Sequence, residues 1–303
     1  MNERKVDFAV KRTRKLDPLE NTMQLLFFLC GAVAVAFVLV ITVYLVVSGL
    51  PAIQKVGLGN FLLGTTWDSA NKTDPQYGIL PFILTSIYGT AGAILIGVPV
   101  GFMTAMFLAK AAPPRLAALV RPAVDLLAGI PSVVYGMVGM VVLLPGIRGL
   151  FHLKAGDTLL AAILVLAVMI LPSIISVSET ALRAVPREYE EASLALGATE
   201  METYFRVSLH AARSGVATAV VLGVGRAIGE AMAIIMVAGN VANMPGLFQS
   251  VRFLTTGIIS GMSYAPVGSL YQQALFSIGL VLFLFIMLIN VFLNVFIKKR
   301  KED

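Results

Sequence analysis

The sequence predicts an all-α polytopic membrane protein with six transmembrane helices. Hydrophobic residues make up 58% of its 303 residues and charged ones only 13%, where a soluble domain carries about a quarter charged. The apolar residues gather in runs of about 20 or more, the length a helix needs to cross a bilayer. Lys and Arg collect at the ends of those runs, as the positive-inside rule expects.

The first span is read over roughly Met23–Leu50, after the basic stretch KRTRK. It is too long for a signal-peptide core and lacks a small-residue cleavage site, so it is read as retained. A polar stretch with Trp67 and Tyr77 follows, where aromatic rings suit a membrane interface. The second span covers roughly Ile79–Ala109, and a short basic loop holds Lys110, Arg115 and Arg121. The third covers Val124–Leu144, the fourth Thr158–Val177, the fifth Val216–Val237 and the sixth Tyr271–Ile297. The loop between the last two contains VRFLTTGIISGM, too short to span; it reads as a re-entrant or interfacial segment covered by protein or a water cavity.

With the N-terminus inside, 17 Lys and Arg fall in inside segments and 5 outside, which puts both termini in the cytoplasm. The expected organisation is a cytoplasmic segment over 1–22, a permease body over 23–297 with a cytoplasmic loop at 178–213, and a tail over 298–303. The net charge of +6 is explained by those span ends, so no nucleic acid is expected. The single cysteine, Cys30, makes neither a disulfide framework nor a metal cluster. No GxxxxGK[ST] loop is present to cradle a nucleotide, and no HExxH. The two histidines, His152 and His210, fall in loops. No cofactor, metal or catalytic residue is expected.

Small residues recur at spacing four in two spans: Thr85, Gly89, Ala93, Gly97, Gly101 and Ala105, then Gly215, Ala219, Gly223, Ala227 and Ala231. Residues four apart share a helix face, and small ones let helices pack closely in lipid. Generic packing is the plain reading; a moving or dimeric interface is the sharper one. In the third span Pro131 removes an amide donor, predicting either a kink or a carbonyl freed toward a hydrated path. Pro131 and Ser132 are therefore candidate pathway residues.

The fifth span carries Arg226 and Glu230. A charge at the membrane centre costs roughly 2.5–3.5 kcal/mol on insertion scales. At i and i+4 the two can pair along one helix face, so an internal salt bridge is one reading. The other is a polar route: a guanidinium suits an oxyanion, and a neighbouring glutamate keeps it from being trapped.

The loop after the fourth span reads as a helix over REYEEASLAL, a break at Gly197, and a second short helix over ATEMETYFRVSL. Thr199 and Glu202 form a candidate capping box. Tyr204, Phe205 and Val207 need cover, from the protein's own span ends or from a partner. Glu191, Ala192 and Ser193, then Gly197, then Val207 and Leu209 resemble the EAA loop of ABC importer permeases; Ser193 stands for an alanine and His210 for a proline. The stretches DPQYGILPFILTSIYGT, LLAGIPSVVYG and GRAIGEAMAIIMVAGN resemble the phosphate-specific permeases of the Pst system. The long polar stretch around Trp67 is more similar to the PstC than the PstA subunit.

The resemblance implies a type I ABC importer permease fold and a subunit that hydrolyses no ATP. It implies a PstA-like second permease, a PstB-like ATPase dimer on the EAA loop and a PstS-like phosphate-binding protein outside. It also implies a role for Arg226 and Glu230 in phosphate passage. Sulfate or molybdate is the rival substrate, an ion-coupled carrier the rival mechanism, and an intramembrane enzyme the third class.

Overall fold

The computed structural model describes residues 18–69, 71 and 73–302. Most of the N-terminal segment expected at 1–22 lies outside the described residues, as does Asp303. Six helical stretches are long and apolar enough to cross a membrane: Thr22–Val56, Leu80–Ala111, Ser132–Leu150, Leu159–Arg183, Glu200–Gly229 and Leu270–Phe292.

Helix α1 (Pro18–Val56) leaves residues 23–41 exposed and largely apolar and, among the described residues, packs on the body over its C-terminal part. There the Ser277 hydroxyl donates to the Gly49 carbonyl at 2.5 Å, and Tyr44 meets Phe276 edge-on. A short α2 (Leu58–Leu63) leads to an antiparallel pair, β1 (Trp67–Asp68) and β2 (Gln76–Tyr77), with Trp67 opposite Tyr77. Trp67 packs on Tyr77, Phe82 and Tyr271, so this aromatic cluster closes one end of the helix bundle, hereafter the hairpin end.

Helix α3 (Leu80–Met106) ends in a π-helical turn, Phe107–Ala111. Its small residues lie against α7 (Leu159–Arg183), the most buried span. A methyl group on Gly97 would stand 2.6 Å from Ile170 Cδ1, and one on Gly101 2.9 Å from Ile174 Cγ2. The second stripe, on α10 (Leu209–Gly229), meets the same helix: a methyl on Gly223 would lie 3.1 Å from Ile174, and Gly215 abuts Ala181. Both stripes are therefore internal packing surfaces, and α7 is the shared partner that wedges isoleucines into each. Ala231, expected as the end of the second stripe, falls beyond the end of α10.

The third span differs from the expectation. The chain forms a separate helix α4 (Pro114–Gly129), is extended at Ile130 and Pro131, and restarts as α5 (Ser132–Val138). A π-helical turn, Gly139–Leu143, and α6 (Leu144–Leu150) complete the span. Pro131 does more than kink the chain: lacking an amide and fixing its own φ, it ends one helix and opens the next. The stretch read as a basic loop is mostly helix α4.

The fifth span also differs. Helix α8 (Arg187–Ala195) is followed by Gly197 at φ +90°. The capping box forms as expected at α9 (Glu200–Glu202): the Glu202 amide donates to Thr199 Oγ1 at 3.3 Å, and the Thr199 amide to Glu202 Oε2 at 3.1 Å. No second short helix stands apart. A π-helical turn, Thr203–Ser208, carries α9 directly into α10. Helix α10 stops at Gly229, eight residues short of the expected Val237, and the remainder forms α11 (Met232–Val237). The awkward loop contains α12 (Leu254–Met262), largely buried against α13 (Leu270–Glu302) and α3.

Candidate functional site

Two interrupted spans meet. Gly136 of α5 lies against Ala233 and Met236 of α11, and Gly139 against Val237. The helical restarts after Pro131 and after Glu230 thus pack on each other, with glycines permitting the close approach. Pro131 is exposed and Ser132 half-buried beside this seam. The Tyr135 hydroxyl donates back across the break to the Leu127 carbonyl at 2.7 Å.

Arg226 and Glu230 do not pair. Arg226 occupies the last turn of α10, half-buried, and its Nη1 donates a long 3.4 Å bond to Ser173 Oγ of α7. Glu230 has left the helix, with φ −71° and ψ 134°. Its carboxylate accepts from the Ala233 amide at 3.0 Å, capping the first turn of α11, where a negative group is favoured. Its carbonyl accepts from Thr255 Oγ1 of α12 at 2.8 Å. The extended Glu230 backbone breaks the i, i+4 geometry that an intrahelical pair requires. Among the described residues Arg226 has no carboxylate partner. The residues missed in sequence are Ser173, Tyr135 and Thr255. Leu171–Pro172–Ser173 repeats the apolar-Pro-Ser pattern of Ile130–Pro131–Ser132, a signal available in the chain.

The second cluster lies at the opposite end from the hairpin. Glu191 and Ala192 are exposed on α8, and Leu196, also exposed, precedes Gly197. Ser193 Oγ meets Thr203 Oγ1 at 2.9 Å, joining α8 to the next turn. Val207 and Leu209 are half-buried at the start of the fifth span. The Tyr204 hydroxyl donates to the Lys110 carbonyl at 3.3 Å, so it is covered by the end of α3, whereas Phe205 stays exposed. Glu190 ties the segment down: its Oε1 accepts from Ser208 Oγ at 2.6 Å and pairs with Lys110. Nearby, Glu179 accepts from Arg121 Nε at 2.6 Å and Arg183 Nε at 2.9 Å, and both arginines also reach the Leu108 carbonyl. These bonds lock the turn after α3, the middle of α4 and the end of α7 together.

The comparisons agree with this architecture. Residues 97–302 match the family described as "Binding-protein-dependent transport system inner membrane component". The chain is 40% identical over 287 residues to the probable ABC transporter permease protein YqgH of Bacillus subtilis (strain 168), covering 92% of each chain. It is 33% identical to the phosphate transport system permease protein PstC of Haemophilus influenzae, covering 99% of this chain and 96% of that one. Among solved structures, an inward-facing MetNI methionine ABC transporter chain superposes with a TM-score of 0.54 at 21% identity, over 74% of this chain and 94% of that one. That likeness shows the ABC transporter permease fold alone. Six spans, the fold and the matched relatives together place the chain in the binding-protein-dependent transport system inner membrane component family, as a multi-pass, non-catalytic permease subunit of an ABC importer.

Proposed function

We propose that the chain is a PstC-type permease subunit of an ATP-driven importer of inorganic phosphate, and that Arg226 lies on the route. The observation that carries this is the Arg226 guanidinium, half-buried in a span with only Ser173 Oγ at 3.4 Å and no carboxylate beside it among the described residues. An unpaired buried cation is costly, and an oxyanion passing by is the partner its fork suits. Glu230, Pro131 and Ser132 complete the proposed route, where two broken helices expose backbone that only a protein-lined or hydrated space tolerates. Relatives named as phosphate transport permeases favour phosphate over other oxyanions.

In this reading both termini and the segment 178–213 face the cytoplasm, within a permease body spanning 23–297. Glu191, Ala192, Ser193, Gly197, Val207 and Leu209 form the surface on which a PstB-like ATPase dimer docks. The exposed Leu196, Met201 and Phe205 are apolar groups for it to cover. A PstA-like subunit supplies the other half of the route, and a PstS-like protein delivers phosphate at the hairpin end. The six-span body is embedded in membrane lipid.

The test is uptake of labelled phosphate by the assembled importer in proteoliposomes, with sulfate or molybdate as competitor. Uptake that requires ATP and the ATPase subunit, and resists excess sulfate and molybdate, is expected. Competition by sulfate or molybdate would reassign the substrate, and uptake without the ATPase subunit would point to an ion-coupled carrier.

A further inference from the structure

Arg252, like Arg226, has no carboxylate partner among the described residues. It sits half-buried in the segment between the fifth and sixth spans. Its Nε donates to the Asn240 carbonyl at 2.9 Å and to Asn240 Oδ1 at 3.0 Å, and its Nη2 donates to the same carbonyl at 2.6 Å. The guanidinium lies over the Phe82 ring, 5.6 Å from its centroid. These contacts fix one edge and one face of the group. Its Nη1 makes no hydrogen bond among the described residues, so an edge with donors remains unused.

The position of this group along the membrane follows from α7. Segment 247–253 is bonded onto the first turn of that helix: the Leu159 amide donates to the Gln249 carbonyl at 3.1 Å and the Leu160 amide to the Leu247 carbonyl at 2.9 Å. Arg226 instead touches α7 at Ser173. Fourteen residues separate Leu159 from Ser173, which at 1.5 Å per residue is about 20 Å along the helix. Glu230 connects the two levels, since Thr255, three residues after Arg252, bonds its carbonyl.

A staple for the turn at Asn240, whose φ is +53°, accounts for the three bonds, and the Phe82 face favours a cation there. Neither uses the Nη1 edge, which is left with donors for a further acceptor. We propose that Arg252 is an outer anion station, holding an oxyanion at the level of the first turn of α7 before it reaches Arg226. The inference rests on the phosphate-import reading above. Two weak stations in series allow release from each, where one strong site would trap the anion.

The experiment measures half-saturation of inorganic phosphate uptake by the assembled importer carrying Arg252→Gln, Arg252→Lys or Asn240→Gly. Arg252→Gln is expected to raise half-saturation about tenfold, the loss of roughly 1.4 kcal/mol of anion binding, with the maximal rate retained. Arg252→Lys keeps the charge and should stay within about threefold of the parent. Asn240→Gly keeps the left-handed turn and the carbonyl that accepts two of the three bonds, removes the side-chain acceptor, and should shift half-saturation far less than Arg252→Gln. If Arg252→Gln fails to assemble, the lysine variant decides: parental half-saturation supports the station, and failure to assemble makes Arg252 a staple only. Unchanged half-saturation in an assembled Arg252→Gln importer, or an equal effect of Asn240→Gly, overturns the proposal. Loss of uptake in Arg226→Gln alongside such a result leaves the import reading standing, whereas parental uptake in Arg226→Gln removes the basis of both.

Discussion

The Tyr135 hydroxyl donates to the Leu127 carbonyl at 2.7 Å across the Pro131 break. In an unbroken helix that carbonyl would accept from the amide of residue 131, which proline lacks; here it otherwise receives only a 3.3 Å bond from the Ile130 amide. The side chain of one segment thus repairs the backbone of the other and fixes how α4 meets α5. Tyr135→Phe removes the shorter of the two bonds, a loss of about 0.5–1.5 kcal/mol. A lower thermal midpoint of the purified importer is the expected result, and an unchanged midpoint would mean that water replaces the hydroxyl.

Gly97 is a packing position against α7. Gly97→Leu drives a side chain into Ile170, whose Cδ1 lies 2.6 Å from the site of the new methyl, and overpacking of this kind costs about 1–3 kcal/mol. Ile170→Ala alone opens a cavity. Combined, the two changes should couple favourably by about 0.5–3 kcal/mol, measured as recovery of assembled protein in membranes. Strict additivity would place the stripe's importance outside this helix contact.

Gly197 tests the α8 segment by backbone alone. It has φ +90°, and a Cβ there would meet nothing within 4 Å. Gly197→Leu therefore acts through conformation, costing about 1–2 kcal/mol to hold the same turn. ATP hydrolysis retained with reduced uptake is expected in the assembled importer, while parental coupling would count against the docking role given to this segment.

Glu190 links the segment to two spans through Lys110 and Ser208. Both charged side chains are mostly buried, 10% and 18% exposed, so Glu190→Ala leaves an uncompensated lysine at a cost near the lower end of about 3–5 kcal/mol. Lower stability together with looser coupling between hydrolysis and uptake is expected. Hydrolysis and uptake falling in proportion would make the contact structural alone.

Much of this architecture is legible in the chain, for reasons that differ by residue. The six spans follow from run length, and the Thr199–Glu202 capping box from local side-chain geometry. The stripes at Gly97 and Gly223 are visible as spacing, but their shared partner α7 is a tertiary fact. Pro131 announces an interruption without revealing that α4 stands as its own helix, because Arg115 and Arg121 resemble loop charges when read singly. The break at Glu230 is hidden, since glutamate is a good helix former and only Gly229 hints at it. That hidden break is why spacing suggested an ion pair that the fold does not make. Arg252 opens the stretch VRFLTTGIISGM, read as re-entrant or interfacial, but nothing local shows that its guanidinium bonds Asn240 and lies on Phe82.

The central claim is that Arg226 is an unpaired charge on the route, not half of an internal salt bridge. The direct measurement is phosphate uptake by importers carrying Arg226→Gln, Glu230→Gln and both changes together. Glutamine at 230 can still accept from the Ala233 amide, so the helix start is kept while the charge is removed. The account predicts that Arg226→Gln lowers uptake by roughly a hundredfold, the loss of a charged hydrogen bond worth up to about 3 kcal/mol, and that adding Glu230→Gln restores none of it. Recovery in the double variant, or parental uptake in Arg226→Gln, would contradict the claim.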